Sequence, residues 1–308
     1  MEVRRFNPES DLEPLQELFE EVMDRHTARE IWEWKYRSPW AEEILSWVGF
    51  HDGKLIGHMG AVHLRGTVNG QEVPFFQLGD IVVHPSRRAK WDFLGSTPKR
   101  LFAQIEALHP TCVYYGFTGR RASLLYRRLG GVFAEDARDR IWSVARAGVP
   151  SEPEGVEVGD LSWDDERIDY LWSRLKPSNG LIRDRVWLGW RYRDYPLYGH
   201  RLLGVWLQSD LVGWVVVHEE SLDGGPREDV RVLDQLLPNE LLEATLQAVS
   251  RLANAGTSVL WHPSRLWKGH SRETSWIVIC QSKVPGYTSE DLSQQFYYTL
   301  GEADEWWW

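Results

Sequence analysis

Apolar residues gather in runs of strand length at 46–50 (SWVGF), 55–62 (LIGHMGAV) and 75–85 (FFQLGDIVVHP), the first two separated only by the polar link HDGK. Two such runs joined by a short link predict a β-hairpin, and Asp52-Gly53 supplies the positive φ that a tight turn requires. Elsewhere the apolar period lengthens to three and four residues, as at Leu242, Leu246, Val249 and Leu252, which predicts a helix over 240–256. Acidic helices are expected at 11–24 and 164–175, and further helices at 98–108 and 121–131. Further strands are expected at 111–117, 202–207, 211–217, 229–237 and 257–262, after which the pattern turns irregular.

The elements come twice. WKYR at 34–37 recurs as WRYR at 190–193, and the glycine of LIGHMGAV (Gly57) recurs in LVGWVVV as Gly213, both at a separation of 156 residues. A separation shared across that span marks an internal repeat. The Pro-, Gly- and Glu-rich stretch 147–160 is the natural boundary between copies. The expected fold class is α+β, with one unit at 1–148 and another at 149–308, each a mixed, mostly antiparallel sheet flanked by helices.

Composition narrows the partners. With 43% apolar residues, 26% charged residues and a formal charge of -10, the chain reads as a globular protein with an acidic surface. A binder of phosphate backbones carries a basic face; here acidic residues outnumber basic ones 45 to 35, so nucleic acid is not an expected partner. No apolar run approaches the roughly 20 residues that span a bilayer, and the start MEVRRFNPESD lacks a signal peptide's apolar stretch, so the expected location is the cytoplasm, away from membranes. Cys112 and Cys280 each sit inside an apolar strand-like run, which fits two buried thiols better than a disulfide, and the ten histidines show no metal-ligand spacing.

The order helix, hairpin, long strand, basic turn, helix, strand, helix resembles the GNAT superfamily of acyl-CoA-dependent N-acyltransferases, here as a tandem pair. The residues that carry the resemblance are GDIVVHPSRR (79–88), similar to that family's fourth strand and its exit, and GFTGRRASLLYRRLGG (116–131), similar to its fifth strand and following helix. The family's small residue, tyrosine and glycine fall at Ala122, Tyr126 and Gly130. The resemblance implies acetyl-CoA or another acyl-CoA as co-substrate and an amine of a small molecule as acceptor.

The family's phosphate turn is altered here. Its glycines let consecutive backbone N–H groups approach a pyrophosphate at a helix N-terminus, but Arg88 is followed by Ala89, Lys90, Trp91, Asp92 and Phe93. Two substitutes are available: side chains of Arg87, Arg88 and Lys90 could hold the phosphates, or the helix could start later, with Thr97 as N-cap and Pro98 at N1. In the second case Lys99 and Arg100 stand in a first turn, where positive charge opposes the helix dipole unless an anion sits nearby. The bland alternative is a solvated basic surface.

By the same resemblance Tyr126 is the proton donor to the leaving thiolate, a task suited to a phenol that stays protonated at neutral pH; the alternative is a tyrosine packed in the core beside Leu124, Leu125 and Leu129. Asp80 is the nearest candidate base and His84 the next, with an edge or loop-capping role as the alternative for Asp80. Backbone N–H groups around Ile81, Val82 and Val83 would polarise the thioester carbonyl if that strand splays from the fifth, and Gly119 completes the expected cofactor contacts. The second copy passes from VLDQLLPN almost directly to ELLEATLQ without a basic turn, which implies a degenerate partner unit. The eighteen tryptophans are expected to pack the halves together, and the terminal EADEWWW to place at least one indole against the body. Two other readings stand beside the acyltransferase: a fold that has lost the reaction and binds a ligand or protein, and a transferase whose donor is an acyl carrier protein docked on the basic residues of 87–100 and 120–128.

Overall fold

The first half of the chain is built from β1 (Glu2–Arg5), α1 (Pro8–Met23), α2 (Arg29–Tyr36), β2 (Ser46–His51), β3 (Lys54–Val68), β4 (Gln71–Val83), α3 (Thr97–Leu108), β5 (Val113–Gly119), α4 (Arg120–Arg128) and β6 (Val132–Ser143). The second half contains β7 (Val156–Asp160), α5 (Arg167–Leu175), β8 (Gly180–Leu181), α6 (Arg185–Leu188) running into a π-helical turn (Gly189–Arg193), β9 (His200–Leu207), β10 (Asp210–His218), β11 (Arg227–Leu236), α7 (Leu242–Leu252), β12 (Ala255–Trp261), β13 (His270–Ser282) and α8 (Ser289–Gln295). This computed structural model describes residues 1–24, 28–87, 97–143, 155–222, 225, 227–263, 266 and 270–303. Arg88, Lys90 and Trp91, the boundary residues 144–154 and the terminal 304–308 lie outside the described residues.

Local chemistry explains the element ends. The Asn7 side chain accepts from the Glu9 amide at 3.0 Å, Pro8 opens α1, and Glu9 and Asp11 put negative charge in its first turn, where it complements the helix dipole. Asp52 and Gly53 both hold positive φ (51° and 76°), the two-residue turn expected for the β2–β3 hairpin. The matching β9–β10 turn uses Gln208 and Ser209 at φ 51° and 73°, so the same geometry is held there without glycine.

All but one of the strands follow one path, β1-β2-β3-β4-β5-β13-β6-β12-β11-β10-β9-β7, with β8 paired to β3. The order is palindromic. Exchanging each strand for its counterpart in the other half (β1 with β7, β2 with β9, β3 with β10, β4 with β11, β5 with β12, β6 with β13) reproduces the same list backwards, so a pseudo-twofold axis runs between β13 and β6. β13, from the second half, is inserted between β5 and β6 and pairs antiparallel with both. The irregular region expected after His262 is thus corrected: β13 is a 13-residue strand whose first residues are polar and exposed, which hid the alternation.

The ladder is antiparallel everywhere except β4–β5 and β11–β12. One face of the sheet carries a single core shared by both halves, including Leu15 and Phe19 of α1, Trp32 and Tyr36 of α2, Trp172 of α5, Trp187 of α6 and the returning tail residues Phe296, Tyr298 and Leu300. The opposite face has two separate cores, one beneath α3 and α4 (Leu101, Phe102, Ile105, Tyr126) and one beneath α7 (Leu242, Leu246, Val249). Cys112 and Cys280 are buried free thiols, and no described helix is long and apolar enough to cross a membrane.

Candidate active site

The two copies follow one plan as far as the fourth strand and then diverge. Thirteen residues (84–96) join β4 to α3, whereas five (237–241) join β11 to α7, and no helix equivalent to α4 is present among the described residues between β12 and β13.

Within that half β4 and β5 pair over three positions, Phe75↔Val113, Phe76↔Tyr114 and Gln77↔Tyr115. Beyond Gln77 the ladder stops, and Leu78–Val83 run on beside Gly116–Gly119 without ladder bonds between them. On the α3/α4 face the Tyr126 hydroxyl donates to the Leu78 carbonyl at 3.1 Å, and the Tyr126 ring lies against Gly116, where a Cβ would come within 3.1 Å of it. Tyr126 is only 7% exposed. It bridges the split from β5's side to β4, beside a small cavity bounded by Leu78, Tyr114, Leu129, Ile279 and Gln281.

On the other face β4 carries a bulge. The register slips between His58↔Val82 and Gly60↔Gly79, and Asp80 takes the left-handed conformation at φ 51°. Several side chains hold it there. The Asp80 carboxylate accepts from Lys35 Nζ at 3.0 Å and from the Tyr36 hydroxyl at 2.7 Å, while its backbone carbonyl lies 2.7 Å from Nδ1 of His58. Tyr36 reaches Asp80 by crossing Gly60, where any Cβ would overlap the phenol oxygen. His58 is completely buried, with its Nε2 2.7 Å from Ser46 Oγ; burial holds its pKa below the usual value against the opposing pull of Asp80.

The remaining expected residues are distributed around this frame. Val82 is buried, whereas Ile81 and Val83 are half-buried, and all three follow the bulge. His84 faces α1, with Nε2 2.8 Å from Glu21 and Nδ1 2.7 Å from Ser86 Oγ, and is not brought to Tyr126. Arg87 closes a 3-10 turn at Pro85–Arg87. Gly119 stands at the N-cap of α4 with open space where a Cβ would point. α3 opens at Thr97, one residue from its expected start, so Lys99 and Arg100 do stand in its first turn.

Sequence reasoning missed Lys35, Tyr36, His58 and Gly60. The signal for Tyr36 was in the repeat itself: Tyr36 bonds the Asp80 carboxylate, and its counterpart Tyr192 bonds the carboxylate of Asp234 on β11 at 2.9 Å. Both copies keep the tyrosine to secure an acid on the fourth strand.

Residues 2–102 match a family model described as an acetyltransferase (GNAT) domain. The whole two-half architecture is shared by solved structures at low identity. A probable N-acyltransferase from Enterococcus faecalis superposes with a TM-score of 0.66 at 12% identity, covering 94% of this chain and 73% of that one. A GCN5-related N-acetyltransferase from Anabaena variabilis gives 0.65 at 13% identity, covering 92% and 72%, and the Saccharomyces cerevisiae N-myristoyltransferase, solved with myristoyl-CoA, gives 0.58 at 11% identity, covering 91% and 79%. No curated protein matches the chain in sequence. The fold is therefore one shared with GNAT N-acyltransferases, and Tyr126 with its helix α4 stands in the first half of it.

Proposed function

We propose that the protein is an acyl-CoA-dependent N-acyltransferase, acting by direct attack of a small-molecule amine on the thioester. The observation that carries this reading is the end of the β4–β5 ladder at Gln77↔Tyr115, with the Tyr126 phenol spanning the gap that follows. An acyl-pantetheine arm fits such a gap because its amides can pair with strand edges that have lost their neighbour. The site offers a left-handed bulge beside the gap, an open Gly119 and a cationic first turn in α3.

In this reading the neutral amine attacks from the α1/α2 face, backbone amides beyond the bulge bind the carbonyl oxygen as negative charge develops, Tyr126 turns its proton from the Leu78 carbonyl to the departing sulfur as the C–S bond breaks, and the proton lost by the attacking nitrogen passes through water to restore the phenol. Lys35 and Tyr36 both hold the Asp80 carboxylate through Oδ2, so we place it as the anchor of the bulge. His84, committed to Glu21 and Ser86, lies outside the proton path. Acetyl-CoA is the first donor to try, and a carrier-protein acyl thioester is the second, since Arg120, Arg127 and Arg128 form an exposed cationic face on α4.

Titration of the protein with acetyl-CoA, read by calorimetry and thermal shift, tests the reading. A ligand at one hundred times its Kd stabilises by about 2.7 kcal/mol. A clear rise in the melting temperature is expected; no response at millimolar acetyl-CoA, with acyl-carrier protein also silent, favours the binding-only alternative suggested by Ala89, Trp91 and Phe93 in place of glycines.

A further inference from the structure

The histidine under the bulge is held in one chemical form by its two partners. A backbone carbonyl can only accept, so the 2.7 Å contact with Asp80 requires the proton on Nδ1 of His58. In the neutral ring Nε2 is then an acceptor, and Ser46, itself fully buried, must donate its hydroxyl hydrogen to it across 2.7 Å. The ring is packed edge-on by Phe6, Phe19 and Tyr36, with centroids 6.0, 6.0 and 6.3 Å away, so neither rotation nor water can substitute for these bonds.

We propose that His58 is a positioning residue: through Nδ1–H it holds the carbonyl of Asp80 in the left-handed bulge and so aims the amides of the last residues of β4 into the gap beside β5. A non-glycine residue at positive φ is strained and persists only where its surroundings over-determine it. Here the Asp80 side chain is fixed by Lys35 and Tyr36, but the peptide itself is fixed by His58. The bulge interrupts the alternation by which successive carbonyls and amides face opposite strand edges. Because β4 has no ladder to β5 beyond Gln77, the redirected edge faces the gap. Swinging that peptide back would restore ordinary strand geometry and withdraw the donors. The inference rests on the acyltransferase reading for its catalytic consequence, but the claim about the bulge stands on its own.

Two substitutions separate the ends of the ring. In His58→Asn the amide nitrogen replaces Nδ1 and keeps the donor to Asp80, while His58→Gln reaches toward Ser46 and loses it. Hydrogen exchange over 79–83 is expected to accelerate at least tenfold in the Gln variant and to stay near wild type in the Asn variant. Turnover of acetyl-CoA should follow the same order, falling about 100-fold in Gln, the scale of a misplacement of about 1 Å, and less than fivefold in Asn, with acetyl-CoA affinity unchanged in both. Equal exchange in the two variants overturns the proposal whatever the activity shows. If wild type neither binds nor turns over acetyl-CoA, the enzyme reading falls and exchange alone decides the role of His58. Should neither variant fold, 15N spectra of histidine-labelled wild type decide it: a ring protonated on Nδ1 at pH 7 is expected, and a neutral Nε2–H tautomer refutes it.

Discussion

Trp34 and Trp190, the same position in the two copies, hydrogen-bond each other reciprocally: each indole N–H donates to the other residue's backbone carbonyl, at 2.8 and 3.1 Å. Their rings stack at 5.2 Å with planes 20° apart. The contact is self-complementary in the way of an isologous dimer interface, and it places the pseudo-twofold axis through the repeated W-x-Y-R segment. Arg191, almost fully buried, lies over both rings and carries its Nε to the carbonyl of Gly301, so the returning C-terminal tail is fastened to the same axis.

Reciprocity predicts symmetric losses. Trp34→Phe and Trp190→Phe each keep a ring and remove one indole donor, so each is expected to cost about 1 kcal/mol in urea unfolding. Trp34→Ala and Trp190→Ala should each cost about 3–5 kcal/mol, and the double alanine variant less than the sum by about 1 kcal/mol, because the stack is lost only once. Fully additive losses would show that the rings do not support each other.

Gly60 is the least replaceable glycine near the site. A methyl group there would overlap the Tyr36 phenol, so Gly60→Ala must expel Tyr36 and break its bond to the Asp80 carboxylate. We expect a loss of about 1–3 kcal/mol from overpacking and a larger proportional loss of acyl transfer. Gly53→Ala is the control: its φ of 76° makes alanine strained, but the space is open, so stability falls by about 1 kcal/mol and activity is retained. Activity surviving in Gly60→Ala would detach the bulge from function.

Much of this frame could be read from the chain. The alternating runs gave the β2–β3 hairpin, and the 156-residue repeat gave the two-copy plan. The sheet path was not legible, because β13 begins with HSRETS, polar on both faces, and its pairing with β5 and β6 joins residues far apart in sequence. Of the candidate site, family resemblance singled out Tyr126, but the residues that shape β4 act through contacts that α2 and β3 make with Asp80. His58 looked like one more scattered histidine because nothing local distinguishes a ring whose partners are a serine twelve residues away and a carbonyl on the next strand.

Tyr126→Phe should separate catalysis from binding. Removing the hydroxyl breaks its 3.1 Å bond to the Leu78 carbonyl, a cost of about 1 kcal/mol to stability. If the phenol protonates the leaving thiolate, acetyl-CoA turnover falls about 100-fold or more while its affinity changes little. A variant with full turnover removes Tyr126 from the chemistry and leaves it a strap across the split.

The acid on the tail provides a test by pH. Glu302 is fully buried, ion-paired with Arg183, and its backbone carbonyl accepts from Gln77 at 2.7 Å, at the last rung of the β4–β5 ladder. Arg183 is shared with Asp234 at 2.9 Å, so burial outweighs the attraction of Arg183, and Glu302 is pushed up from 4.5 to about 7. Its Oε2 is buried without a hydrogen-bond partner among the described residues, consistent with a carboxylate that is costly to charge. A folded pKa above the unfolded one means that the native state binds more protons between pH 4.5 and 7, so this group's contribution to stability falls as pH rises through that window. Glu302→Gln cannot titrate. Its stability relative to wild type should therefore climb by about 3 kcal/mol between roughly pH 4.5 and 7.5 and level off above, since each tenfold change in proton affinity is worth about 1.4 kcal/mol. A difference that stays flat across the window, or moves the other way, would show that Arg183 keeps Glu302 charged at every pH.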